Sequence, residues 1–288
     1  MKKHIPNAIT CCNLISGAIA IIYATNALYN PQLLQWALFF IILGALFDFF
    51  DGMTARLLHV SSPIGKELDS LADVVTFGVA PSMMLFSWVG QMRLPFYIAL
   101  TPLLMAAFSA LRLAKFNLDE RQTMGFIGLP TPANALFWGS FTSTWGLKPF
   151  ILGFPQSAPI VIILMLLSCY LLVSEIPMFA LKFKTWGWRG NEVKYLFVIT
   201  SVPVLAFFNT AGIAIVIAWY VMLSAITHAQ MANSVDTSCK TYLADTSEPT
   251  APDEAPTQKE ETADEPAPSD QPASAEEDYQ RYMPKQTS

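Results

Sequence analysis

The chain has 288 residues, 53% of them hydrophobic and only 14% charged, with a net charge of -5 and a mean hydropathy of +0.41. That balance excludes an ordinary soluble domain, which would wrap its core in charge, and it offers no basic tract for a nucleic-acid partner. The net charge also hides a split, because residues 236–288 carry 13 acidic against 4 basic side chains.

From the N-terminus, "MKKHIPNAITCCNLISGAIAIIYATNA" sets two lysines before an apolar stretch, in the manner of a signal peptide. Pro6, Asn7 and Asn13 interrupt the apolar region, and further apolar runs follow, so an uncleaved first helix is expected. The runs lie at 9–28, 33–58, 71–90, 95–113, 133–147, 158–181, 195–209 and 211–228. Most approach the length a bilayer requires. The fold class expected is all-α: a polytopic membrane bundle of about eight spans, or six or seven if the short fifth and seventh runs do not cross. Two domains are expected, a membrane domain over 1–235 and a tail over 236–288. The tail, rich in Pro, Ala, Ser, Thr and acid, has almost nothing to bury and reads as disordered.

Orientation follows from basic residues, which cytoplasmic loops retain. One alternating set of loops holds Lys2, Lys3, Arg56, Lys66, Arg112, Lys115, Arg121, Lys182, Lys184, Arg189 and Lys194, whereas the other holds Arg93 and Lys148. Both termini are therefore expected in the cytoplasm. The cysteines Cys11, Cys12, Cys169 and Cys239 have no zinc-site spacing and read as packing residues. The seven tryptophans, Trp36, Trp88, Trp138, Trp145, Trp186, Trp188 and Trp219, fall mostly near run ends and read as interfacial anchors.

Against this background, "DFFDGMTARLLHVSSPIGKELDSLADVVTF" at 48–77 places Asp48, Asp51, Asp69 and Asp73 in apolar surroundings. One carboxylate facing lipid costs roughly 2.5 to 3.5 kcal/mol, so four must face a polar cavity. Asp48 and Asp51 stand at i and i+3, and Asp69 and Asp73 at i and i+4, so each pair shares a helix face. Four such groups repel one another unless a cation sits between them. Oxygen-only ligands select hard cations such as Mg²⁺, Mn²⁺ or Ca²⁺, and Mg²⁺ keeps positions open for water and phosphate. Gly52 would let a bulky ligand approach, Ala55 keeps the same region narrow, and Arg56 at i+4 from Gly52 can grip phosphate with both arms of its guanidinium. Ser61 and Ser62 are candidate phosphate donors or helix caps, and Gly65 is permissive.

Read as D-x2-D-G-x2-A-R-x8-G-x3-D-x3-D, these residues resemble the signature of the CDP-alcohol phosphatidyltransferase family at every fixed position. The resemblance implies a helical membrane enzyme, commonly a homodimer, that moves a phosphatidyl group from a CDP-linked lipid to an alcohol. It implies that Asp48, Asp51 and Asp69 hold Mg²⁺ or Mn²⁺ against the lipid diphosphate. Asp73 would share that metal and act as general base, and Gly52 and Arg56 would line the nucleotide and phosphate site. A multi-pass protein of the bacterial inner membrane, with its site on the cytoplasmic side, is expected.

Flanking segments bear on the acceptor. "IPNAITCCNLISG", "LRLAKFN" at 111–117 and "FIGLPTPANA" at 126–135 are similar to motifs of the membrane-type phosphatidylserine synthases within that family. Lys115 replaces an expected Arg, and Asn134 replaces a common Ala. Together the resemblance covers about residues 4–230 and implies CDP-diacylglycerol and L-serine as substrates.

Arg112 and Lys115, one turn apart, could bind the serine carboxylate, or serve as positive-inside anchors. Glu67 could meet the ammonium, or be a loop charge. Asn13, with Thr10 at i-3, could touch cytosine or ribose, or join helices by hydrogen bonds. Gly128, Pro130 and Pro132 read as a turn. Glycerol 3-phosphate, inositol or choline remain alternative acceptors, and a cation transporter with an intramembrane carboxylate path is the alternative from another class.

Overall fold

A computed structural model describes residues 4–60, 62–92, 94–118, 126–144, 157–178, 187 and 191–245. Its helices are α1 (His4–Asn26), α2 (Leu33–Leu57), α3 (Pro63–Asp73), a π-helical segment (Val74–Val79), α4 (Ala80–Gly90), α5 (Phe96–Ala99), α6 (Leu103–Leu118), α7 (Thr131–Ser143), α8 (Ser157–Val173) and α9 (Glu192–Asp245). The fold is all-α, as expected. The strand pairing among the described residues is a two-residue antiparallel bridge that sets Phe126 against Met178 and Ile127 against Pro177.

Each expected apolar run falls on helix, but eight full crossings are not established. Five stretches are long and apolar enough to cross a membrane: His4–Asn26, Leu33–Leu57, Pro63–Gly90, Phe96–Leu118 and Glu192–Thr227, the last of them in two limbs that meet at Asn209. The fifth expected run is a helix of 13 residues and the sixth one of 17, both below the twenty or so that a bilayer core asks for. The sixth run, expected to reach 181, ends as helix at Val173, shortly before Pro177 joins the bridge to Phe126–Ile127. Proline cannot continue an α-helical ladder.

α9 is not one rod. Asn209 has φ 48 and ψ -124, and the chain folds back there: Trp219 Nε1 donates to Thr200 Oγ1 at 3.1 Å, and the Phe197 and Tyr220 rings lie 5.9 Å apart. This break stands where the expected runs 195–209 and 211–228 meet. The folded unit extends to Lys240, and of the second unit, Thr241–Ser288, the helical backbone to Asp245 is described. Helix thus continues ten residues past the expected boundary at 235, through "DTSCKTYLAD", and the first prolines of the tail, Pro249 and Pro252, come only after it. Residues 246–288, with most of the expected disordered segment, lie outside the described residues.

Two local devices shape the turn between α2 and α3. α2 ends with Val60 N donating to Ala55 O at 3.0 Å and His59 N to Arg56 O at 3.2 Å, with His59 at φ 50. This is a Schellman termination in which His occupies the left-handed position usually given to Gly. α3 then opens on Ser62, whose Oγ accepts from Gly65 N at 3.0 Å, with Pro63 at the first helical position.

The core sits between α1, α2, α4 and α7, where Ala20, Ala24, Leu38, Ile41, Met84, Leu85, Trp88 and Trp138 are buried. Small residues on α1 let α4 approach closely enough for Ser87 Oγ to donate to Ala24 O at 2.6 Å. The assignment of Trp88 and Trp138 as interfacial anchors is therefore corrected. Both pack inside, and Trp138 Nε1 donates to Ser168 Oγ at 3.0 Å, which satisfies the indole among apolar neighbours. Trp36 is exposed as an anchor would be, and Trp145, Trp186 and Trp188 lie outside the described residues. Cys169 packs in the core, whereas Cys11 and Cys12 are exposed on α1 and are not packing residues. The chain buries the opposite face of α1, with Thr10, Asn13 and Gly17, so adjacent positions 11 and 12 turn outward.

That buried face meets the π segment at close range. A Cβ on Gly17 would lie 2.8 Å from Thr76 Cα and overlap its hydroxyl, and one on Gly44 of α2 would lie 2.5 Å from Thr76 Cγ2. Gly17→Ala is expected to cost about 1 to 3 kcal/mol, as overpacking does, read as a lower thermal midpoint of the detergent-purified protein. An unchanged midpoint would mean that the three helices can separate freely at Thr76.

Candidate active site

The carboxylates come from two consecutive helices, α2 and α3. α2 carries Asp48 and Asp51, and α3 carries Asp69 and Asp73. One oxygen from each of Asp48, Asp51 and Asp69 can be chosen so that all three lie within 4.8 Å of one another. Asp51 is buried, and Asp51 Oδ2 and Asp69 Oδ1 are buried oxygens without a hydrogen-bond partner among the described residues. Buried polar atoms are normally paired, so unpaired anionic oxygens converging on one point fit a bound hard cation. Among the described residues no histidine or cysteine joins the group, which disfavours zinc.

Asp73, which the resemblance implies also shares the metal, is not among these three converging carboxylates. Its Oδ1 accepts from Asn13 Nδ2 at 3.3 Å, and Asn13 is fully buried. Asn13 is held in turn, since its carbonyl accepts from Thr76 Oγ1 at 3.1 Å. α1 and the π segment thus grip one another on either side of the carboxylate. The π-helical turn begins at the residue after Asp73, and such turns are frequent at functional sites because they re-aim side chains within a helix.

Beside the trio lies a cavity of about 250 Å³, lined by Pro6, Asn7, Thr10, Asp51, Gly52, Ala55, Val60, Ser62, Gly65, Lys66 and Asp69. Thr10, Gly52, Ser62 and Gly65, expected at a CDP-lipid site, are all on its wall. Ser62 Oγ is already engaged as the α3 cap. Gly65 is needed for packing as well, because a Cβ there would lie 2.9 Å from Ser62 Oγ and 3.0 Å from Asn7 Oδ1. Gly52 is different: a Cβ would meet only an Arg56 guanidinium nitrogen, at 3.9 Å. Nothing in the fold requires a glycine there, so its missing side chain leaves room in the cavity. Gly52→Val is accordingly expected to leave the thermal midpoint within about 1 °C while raising the KM for a CDP-lipid severalfold, since the added side chain meets no packed neighbour. A matching fall in the midpoint would assign Gly52 to packing.

Arg56 is exposed, its Nε donating to Gly52 O at 3.0 Å. Ser61 lies outside the described residues. Of the acceptor candidates, Arg112 is buried, donates through Nη1 to Thr131 Oγ1 at 3.2 Å, stacks over the Phe116 ring at 5.4 Å and interacts electrostatically with Asp73. Lys115 and Glu67 are exposed and do not share its environment.

Several residues on the site had no place in the sequence-based assignment. Lys66 lines the cavity and its Nζ donates to Asn117 O at 3.3 Å, while Asn117 Nδ2 donates to Ser70 Oγ at 2.7 Å. Asn7, Thr76 and Thr131 were likewise unassigned. Asn7 stood in the quoted "IPNAIT" and Thr131 in "GLPTP", so a motif position with a polar side chain was the available signal.

A family model described as CDP-alcohol phosphatidyltransferase matches residues 3–188. The chain belongs to that family. All the site residues named above fall inside the matched span of this CDP-alcohol phosphatidyltransferase. Among curated relatives, a protein of Bacillus subtilis named CDP-diacylglycerol–serine O-phosphatidyltransferase is 45% identical over 130 residues, which is 45% of this chain and 70% of the relative. Proteins with the same name in Helicobacter pylori strain J99 and Saccharomyces cerevisiae are each 37% identical, over 133 and 143 residues. Those two matches cover 46% and 45% of this chain but only 54% and 50% of the relatives, so the chain spans about half the length of the latter two.

Proposed function

We propose that this CDP-alcohol phosphatidyltransferase transfers the phosphatidyl group of CDP-diacylglycerol to the hydroxyl of L-serine, giving phosphatidylserine and CMP. The convergence of three carboxylates on one point beside the 250 Å³ cavity is the observation that carries the reading, because such a group fits a cation-bound diphosphate. Asp48, Asp51 and Asp69 would hold Mg²⁺ or Mn²⁺. When bound, the cation offsets negative charge on the diphosphate and on the departing CMP.

The chain's own residues perform the remaining work. Asp73 accepts the proton from the serine hydroxyl as its oxygen bonds to the lipid-bearing phosphorus and the bond from that phosphorus to the CMP oxygen breaks. Asn13, as donor to Asp73, keeps the carboxylate aimed. Gly52, Thr10 and Lys66 bound the space for the nucleotide and its phosphates. Arg112, steadied by Thr131 and Phe116, offers a guanidinium for the serine carboxylate within electrostatic range of Asp73. A phosphorylated acceptor would need more positive charge, whereas Lys115 is exposed. The names of the relatives support serine as well.

On this reading the protein is a multi-pass enzyme, a homodimer of the bacterial inner membrane with its site at the cytoplasmic face, where nucleotide and serine arrive. Purified enzyme given labelled CDP-diacylglycerol is expected to release CMP with L-serine and not with glycerol 3-phosphate, inositol or choline. Turnover with glycerol 3-phosphate and none with serine would overturn the acceptor. Cation flux through reconstituted vesicles, without CMP release, would favour transport.

A further inference from the structure

A second cavity, of about 230 Å³, lies between α7, α8 and the distal limb of α9 and shares no lining residue with the first. Its wall is apolar, formed by residues such as Leu129, Leu164, Leu171 and Val221, apart from Asn134 and Ser168. Those two make an incomplete network. Ser168 Oγ accepts from Trp138 Nε1 at 3.0 Å and donates to Asn134 Oδ1, so its hydroxyl is used in both directions. Asn134 is fully buried, and its Nδ2 has no partner among the described residues.

An unmet donor in an apolar chamber asks for an acceptor. Water is a poor occupant, because a buried water needs two to four polar partners and this wall has one donor left. A ligand with one carbonyl and an apolar body satisfies both features. The mouth indicates where it comes from. Leu167 and Met222 line the cavity and are also about half exposed, and they continue into the exposed Ile163 and Leu166 of α8, an apolar outer surface on a bilayer-spanning chain.

We infer that this cavity binds the ester end and first part of one acyl chain of a glycerophospholipid from the bilayer, with its ester carbonyl accepting from Asn134 Nδ2. At 230 Å³ it is too small for a whole lipid, and the headgroup stays outside. The site is separate from the place proposed for the CDP-lipid nucleotide and holds whichever or not serine is the acceptor.

The test uses the full chain in nanodiscs of phosphatidylcholine whose acyl chain carries a diazirine, irradiated and mapped by peptide mass spectrometry. Labelling is expected at Leu164, Leu171 and Val221 at severalfold the level of the outward Ile160 and Ile163. Asn134→Leu, which removes the donor at nearly unchanged shape, is expected to lower the inner labelling severalfold and keep the outer. Ala218→Phe fills it from α9 and serves if the first variant fails to fold. Equal labelling of inner and outer positions, or inner labelling that persists in a folded filling variant, overturns the proposal. So does a disulfide linking two copies through Leu167→Cys at the mouth with no inner labelling, which would make a second chain the occupant.

Discussion

Asp73→Asn is expected to reduce CMP release by about 10² to 10⁴-fold, the range over which a positioned base contributes, with the fold intact. Asparagine keeps the size of the side chain and can still accept from Asn13 Nδ2 through its carbonyl oxygen, so the grip of α1 on the π segment persists. Because Asp73 lies outside the trio, the metal concentration for half-maximal activity should stay within about twofold. A parallel shift in metal dependence would put Asp73 among the ligands instead, and unchanged CMP release would sink its role as base. Asn13→Ala provides the complementary reading. It takes a hydrogen bond from the base while leaving the carboxylate, and should lower kcat with little change in KM for either substrate.

Chelation by EDTA is expected to abolish turnover, with recovery on adding Mg²⁺ or Mn²⁺. Asp51→Asn and Asp69→Asn should raise the metal concentration for half-maximal activity by at least about tenfold, equivalent to ~1.4 kcal/mol of binding. The direction rests on Asp51 Oδ2 and Asp69 Oδ1, buried oxygens that nothing else in the described protein satisfies. Replacing either takes one of three converging carboxylates out of the cluster. The same variants are expected to bind metal more weakly in calorimetry without lipid present, a readout that does not depend on activity. Full activity after exhaustive chelation would exclude the metal-held diphosphate.

The carboxylate cluster was legible because its spacing is a statement about helix faces. Asp48 with Asp51 and Asp69 with Asp73 can share a face only if both segments are helical, and they are. The break at Asn209 was legible too, since apolar periodicity stops there. What the sequence withheld is long-range. Asn13 reaches Asp73 across 60 positions, and Thr76 reaches the Asn13 carbonyl across 63, so no local pattern links them. Trp88 sits near the end of its apolar run and Trp138 in the middle of a short one, where interface and core compositions look alike, and only packing between helices separates the two. Arg112 and Lys115 are both basic residues on the same helix, yet one turns inward to Thr131 and the other outward. Their one-turn spacing suggested a joint role that the orientation of α6 does not give them.

The widened turn at Val74–Val79 divides the third long helix into two parts with separate duties. Above it, α3 must keep its carboxylates in phase with those of α2. Below it, α4 must keep Met84, Leu85 and Trp88 in phase with α1 and α7. In an unbroken α-helix these two requirements would share one angular register, and removing a single residue would rotate one part against the other by about 100°. The π turn acts as a phase joint. Its wider turn sets the angular offset between the two parts, so the face with Asp69 and Asp73 and the face with Met84 and Trp88 each meet their own partners.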